Sequence, residues 1–256
     1  MYPRIVFMDL EGTVFLKEYR LDNGKVAPSA WTLLAERISP DCLAEEEDTK
    51  ERWNRGEYPG YVEWMRDTIR IHQKHGLTQN VFDEVVDSVK FTTGVQEAVA
   101  EFRQHAAITV IISGGFKALA DRAQRELKAD HALSACEYFF DDQTGKIHHF
   151  NLLPSDEEGK VDFMKLIAKE HGIDLEDCVF VGDGKNDVGP ACAVGFSIAF
   201  NAQQELRRFA SKAIDQPKGE ENFSAVAEAI RECFPHRRRR LLRQMLVLAK
   251  KVIGPK

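Results

Sequence analysis

No stretch of the 256-residue chain approaches the roughly 20 consecutive apolar residues that a membrane-spanning helix requires, so such a segment is excluded. Cysteine is sparse: Cys42, Cys136, Cys178, Cys192 and Cys233 are scattered, odd in number and form no CxxC pair. That pattern excludes a disulfide framework and a thiolate zinc site, and predicts buried free thiols in a reducing cytoplasm. The opening MYPRIVFMDLEGT places one Arg before a short apolar run broken by acids, unlike a secretory leader. Neither an internal repeat nor a low-complexity stretch precedes residue 234. With 43% hydrophobic and 30% charged residues, what remains is the composition of an ordinary folded protein.

The formal net charge of −6 is an uneven average. Residues 234–256 hold eight Lys and Arg and no acid, which leaves 27 basic residues against 41 acidic ones elsewhere, a balance of −14. The basic extension reads as a terminal helix that packs its leucines on the core. Two competing readings are an amphipathic helix on anionic lipid, which would make the protein peripheral to a membrane, and a surface for a protein or nucleic-acid partner, although no firm nucleic-acid signal accompanies it.

Four short apolar runs read as buried strands: Arg4 to Leu10, Ala107 to Ile112, Asp177 to Val181 and Phe196 to Phe200. Helical spacing fills 94–105, 116–128, 160–171, 187–194, 203–210 and Phe223 to Arg231. Strands alternating with helices predict an α/β protein, a Rossmann-like three-layer core with a mainly parallel sheet. Residues 136–151 read as a hairpin around a polar turn. The segment 15–89 breaks the rhythm: it is rich in charge and aromatics, shows helical spacing at Tyr61 to Gln73 and Val81 to Val89, and carries no buried-strand run. It is expected to form a small helical domain inserted into a core of residues 1–14 and 90–233.

Three strand ends are polar and glycine-rich: Asp9-Leu-Glu11-Gly-Thr13, Ser113-Gly114-Gly115 and Gly182-Asp183-Gly184-Lys185-Asn186-Asp187. In open parallel sheets ligands bind at the carboxyl ends of strands. Asp9, Glu11, Asp183 and Asp187 converging there would repel one another unless a cation stood among them, and all-oxygen donors select a hard ion such as Mg2+. The Ser113 hydroxyl, the Gly114 N–H and a lysine would bind a phosphate. An Asp beside that phosphate suits nucleophilic attack, and a carboxylate two residues on suits acid–base work.

DLEGT, ISGG, a downstream Lys and GDGKND together resemble the four motifs of the haloacid dehalogenase-like phosphatases, and most closely the phosphoserine phosphatase branch. The resemblance covers residues 4–14 and roughly 90–230. It implies that Asp9 forms an aspartyl-phosphate and that Glu11 serves as acid and base while its backbone carbonyl, Asp9 and Asp183 hold Mg2+. It further implies that Asn186 and Asp187 support the metal, that Ser113 and Gly114 bind phosphoryl oxygens, and that Lys160 balances their charge. A small phosphorylated metabolite is the implied substrate, phosphoserine first.

One departure stands out, because the family usually carries Asp where this chain has Glu11. The extra methylene moves the carboxyl by roughly an ångström, and misplacement of that order can cost about a hundredfold in rate. A Glu at this position resembles a subset that includes phosphoserine:homoserine phosphotransferases, so transfer to a small hydroxyl acceptor stands beside hydrolysis. A non-catalytic binding protein is the contrasting class, and the complete motif set speaks against it. Segment 15–89 resembles the family's helical cap. Glu18 lies where the branch places a substrate-ammonium contact, and Arg66 or Arg70 is expected to meet the substrate carboxylate. Tyr61, Trp64 and Met65 read as helix packing.

Overall fold

Ile5, Val6, Phe7 and Met8 are all fully buried, and this four-residue run forms β1 (Ile5–Met8) at the centre of a seven-stranded sheet. It pairs in parallel with β2 (Ile108–Phe116) on one side and β5 (Cys178–Gly182) on the other, with Ile5 opposite both Ile108 and Cys178. The computed structural model describes residues 2–234; the basic extension proposed for 234–256 therefore lies, beyond its first residue, outside the described residues. With β3 (His131–Phe140), β4 (Ile147–Leu152), β6 (Phe196–Phe200) and β7 (Lys212–Ile214), the strand order is β4-β3-β2-β1-β5-β6-β7. Among the described strands only β4 runs antiparallel.

Alternate residues of β1 serve the two faces, as the period of a strand demands. Val6 and Met8 pack with Val99 and Phe102 of α5 (Val95–Gln104) and Leu119 and Ala123 of α6 (Lys117–Leu127). Ile5 and Phe7 pack with Met164 and Ile167 of α7 (Glu158–Glu170), Ala191 of α8 (Val188–Ala193) and Leu206 of α9 (Gln204–Phe209). A sheet covered on both faces needs strands that are apolar throughout, which is why β1, β2, β5 and β6 stand out as continuous apolar runs.

The expected hairpin is present, but β3 begins at His131 and its first half pairs in parallel with β2, Ile111 opposite Ala132. The chain leaves the core after β1 and returns beside its exit: Leu16 N–H donates to Lys90 O and Thr92 N–H to Val14 O, both at 2.9 Å. Between these crossings lie α1 (Ala30–Ile38), α2 (Pro40–Asn54), α3 (Tyr61–Lys74) and α4 (Gln79–Ser88). No helix among the described residues is long and apolar enough to cross a membrane.

Candidate active site

Where the chain emerges from β1, the Asp9 N–H donates to Val181 O of β5 at 2.9 Å, so the carboxylate is set at the seam between two parallel strands. This is the point at which the chain, having built the sheet outward on one side, returns to build the other. Asp9, Glu11, Ser113, Gly114, Asp183 and Asn186 all line one cavity there. Lys160 and Asp187 are fully buried behind it.

Lys160 reaches the site because α7 starts on a tight turn: a side chain at Gly159 would stand 1.5 Å from Pro154 O. Its Nζ lies 2.6 Å from Asp9 Oδ1, 2.6 Å from Asp187 Oδ1 and 3.6 Å from Asp156 Oδ1. Burial disfavours the ammonium, but Asp187, Asp9 and Asp156 outweigh it and raise its pKa well above the ordinary lysine value. Asp187 is braced twice more, its Oδ2 accepting from the backbone N–H of Asp183 at 3.1 Å and of Gly184 at 3.0 Å. Asn186 Nδ2 donates to Asp156 Oδ1 at 2.6 Å.

Ser113 lies where the register between β2 and β3 shifts, and its Oγ accepts from Gly115 N–H at 2.9 Å. At Gly114 a side chain would meet Asp156 Oδ2 at 2.5 Å, so glycine keeps this backbone open to the cavity. Glu11 is held from the helical segment: its Oε2 accepts from the N–H of Ala30, the first residue of α1, at 2.8 Å. Burial raises the Glu11 pKa against the opposing pull of Ala30 and Lys17, a direction compatible with proton transfer.

The carboxylates of Asp9, Asp183 and Asp187 offer oxygens within 4.8 Å of one another. Burial raises the pKa of both Asp9 and Asp183; the lysines oppose this, and the neighbouring acids add to it. Lys17 Nζ lies 2.7 Å from Asp183 Oδ2, while Asp183 Oδ1 is buried without a hydrogen-bond partner. Crowded all-oxygen donors with an unsatisfied buried oxygen fit a hard divalent cation.

Two expected substrate contacts lie elsewhere. Glu18 is exposed and lines, with Lys218 and Glu221, an adjoining depression that shares Lys17 and Asp183 with the cavity, because Lys17 and Tyr19 on either side of it turn inward. Arg66 pairs with Glu63 at 2.8 Å and does not line the cavity, and Arg70 is exposed. Tyr61, Trp64 and Met65, read as packing, do line it, and the Tyr61 hydroxyl donates to Gly114 O. Lys17, Glu46, Lys50 and Asp156 were missed. For Asp156 a signal existed, its i,i+4 spacing from Lys160; Glu46 and Lys50 sit in a charge-rich run that looks like any solvated helix.

A family model described as haloacid dehalogenase-like hydrolase matches residues 6–191. The chain is 30% identical over 182 residues to a phosphoserine phosphatase of Archaeoglobus fulgidus, covering 71% of this chain and 50% of that protein. Against a phosphoserine phosphatase of Lactococcus lactis it is 29% identical over 148 residues, 57% of this chain and 67% of that one. The chain thus spans about half the length of the Archaeoglobus relative. A solved structure described as a phospho-aspartyl intermediate analogue of phosphoserine phosphatase superimposes with a TM-score of 0.70 at 20% identity, covering 89% of this chain and 99% of the other. At that identity the likeness speaks for the fold, a Rossmann-like α/β core with a mainly parallel sheet.

Proposed function

The chain belongs to the haloacid dehalogenase-like hydrolases, and from that premise we propose that it is a Mg2+-dependent phosphatase that hydrolyses a small phosphomonoester through an aspartyl-phosphate on Asp9. Phosphoserine is the first substrate to test, since the relatives named above carry that activity in their names. The observation that carries the reading is the 2.6 Å contact of buried Lys160 with Asp9 Oδ1, which fixes one nucleophile orientation at the cavity wall.

In the first step an Asp9 oxygen bonds to phosphorus as the bond to the alcohol oxygen breaks, and Glu11 gives that oxygen its proton. In the second, Glu11 takes a proton from water, the water oxygen bonds to phosphorus, and the Asp9–phosphorus bond breaks to release phosphate. Ser113 and Gly114 cradle the phosphoryl oxygens, and Lys160 offsets the charge gathered on Asp9 and the phosphoryl group. Asp9, Asp183 and the Glu11 carbonyl would hold Mg2+, with Asp187 and Asn186 bracing them; the ion would supply neutralisation of the phosphoryl charge. Segment 15–89 serves as a cap that excludes water from the core of residues 1–14 and 90–233.

A second reading keeps the first step and replaces water by a small alcohol such as homoserine. What favours it is Glu11 itself, whose longer side chain is fixed by the Ala30 N–H. Phosphate release from a panel of small phosphomonoesters, with Mg2+ or EDTA and with or without homoserine, tests both. Wild-type activity is expected to need Mg2+ and to vanish in Asp9→Asn. Activity surviving in Asp9→Asn would refute the covalent route, and phospho-homoserine accumulating at the expense of free phosphate would select the second reading.

A further inference from the structure

Among the described residues three lysine nitrogens surround the cavity, and two are committed. Lys160 is sealed behind Asp9, and Lys17 is paired with Asp183. The third, Lys50, comes from α2 on the opposite, helical side. Its Nζ lies 2.6 Å from Glu46 Oε1, one helical turn earlier, and donates to Thr32 Oγ1 of α1. Thr32 in turn donates to the same Glu46 oxygen at 3.0 Å. No arginine among the described residues lines the cavity.

The pair is oriented. The Glu46 side chain is 1% exposed and the Lys50 side chain 24%, and both border the cavity, so the ammonium is the more accessible pole. Behind it Glu46 is backed by His72, fully buried, with its Nε2 3.8 Å from Glu46 Oε2. Burial disfavours the charge on Glu46, but His72 and Lys50 outweigh it and keep its pKa below the ordinary value, so the carboxylate stays ionised and anchors the ammonium. An ammonium with two of its three protons engaged keeps one donor for a ligand. Trp31 and Trp64 line the same cavity, and such apolar walls limit water and strengthen a charge contact made there.

We propose that Lys50 is a specificity-determining residue: it receives a second anionic group, a carboxylate or a phosphate, borne by the alcohol that leaves from the phosphoryl group. Glu46 and Thr32 are positioning residues that hold its nitrogen at the cavity wall. The inference rests on the phosphatase reading, and it assigns to α2 the recognition expected from the sequence at Arg66 or Arg70.

Calorimetric binding to Asp9→Asn in Mg2+ tests it without turnover. The probes are glycerol 3-phosphate, 3-phosphoglycerate (which replaces its terminal CH2OH by a carboxylate) and propane-1,3-diol bisphosphate. At least one of the two probes with a second anionic group is expected to bind about tenfold more tightly than glycerol 3-phosphate, the order of one charge-assisted hydrogen bond; the tighter identifies the oxyanion. Adding Lys50→Met should bring that ratio close to one, while Lys50→Arg should keep most of it. Lys50→Gln, closer in shape, repeats the test if the Met variant melts early. A ratio near one with Lys50 present, or a ratio that Lys50→Met and Lys50→Gln leave unchanged, overturns the proposal. Hydrolysis of p-nitrophenyl phosphate by the otherwise intact protein is measured in parallel. Its absence would count against the phosphatase reading, whereas the binding ratio reports on Lys50 alone.

Discussion

Gly12 follows Glu11 in a backbone conformation, φ +86°, that L side chains rarely adopt, and a Cβ there would stand 2.3 Å from Asp183 Oδ2. Gly12→Ala therefore meets two costs, the left-handed backbone and the displacement of a carboxylate already fixed by Lys17. We expect about 1–3 kcal/mol of lost stability by urea denaturation and roughly a hundredfold loss of kcat/KM for phosphate release, the scale of a one-ångström displacement. Full activity in this variant would show that Asp183 does not act from the position described. The sheet end of the site was legible because most of its residues are tied to strand ends, as Asp9, Ser113 and Asp183 close apolar runs that announce themselves, and Lys160 stands in the first turn of a helix. Its specificity end was not. Lys50 gains meaning only from Glu46, Thr32 and His72, which come from three different helices, and no spacing in the chain links α3 to the other two. Glu18 stays off the cavity wall for a related reason, since alternation in the segment 17–19 decides which neighbour turns inward, and Lys17 and Tyr19 take those places.

At the scale of elements, the four-helix segment is joined to the core by two adjacent crossings, and one side chain of α6 holds both. The Arg122 guanidinium lies 5.4 Å from the Phe15 ring centroid and 5.3 Å from that of Phe91, and its Nη1 donates to Val86 O at 2.7 Å and Val89 O at 2.8 Å. Arg122→Ala removes charged hydrogen bonds and two cation–π contacts together, so a loss of about 3 kcal/mol is expected in urea denaturation. Arg122→Lys keeps the charge but lacks the planar fork that meets carbonyls and ring faces at once, so it should recover less than half. A change under about 0.5 kcal/mol in Arg122→Ala would remove the clasp from the account. Elements were legible in proportion to their burial. The fully buried strands read directly, whereas β7 is a three-residue edge and the start of β3 is only half-buried. The helix α2 buries just Cys42, Glu46 and Thr49, so no apolar stripe marks it; the cap at its start, where Ser39 Oγ accepts from Cys42 N–H at 3.0 Å, is the local cue that remained.

For the whole molecule, part of the acidic balance seen in composition has a specific location, because Asp9, Asp183 and Asp187 are drawn together at the sheet's switch point with Glu11 alongside. Folding must bring these carboxylates out of water and close to one another, and Lys160 and Lys17 offset only part of that cost. A cation that binds this arrangement and not the unfolded chain stabilises the fold by mass action, about 2.7 kcal/mol at a hundred times its dissociation constant. For a protein of this size that corresponds to a rise of roughly 5–10 °C in the thermal midpoint. The increment should grow with the logarithm of Mg2+ concentration once the site is nearly saturated, and EDTA should reverse it. In Asp183→Asn the baseline midpoint can shift either way, since Lys17 loses its partner as the crowding of acids eases, but the Mg2+-dependent increment should largely disappear. An increment of equal size in wild type and Asp183→Asn would place the bound cation somewhere other than this cluster, and no increment in wild type at millimolar Mg2+ would argue that the carboxylates are held by the two lysines alone.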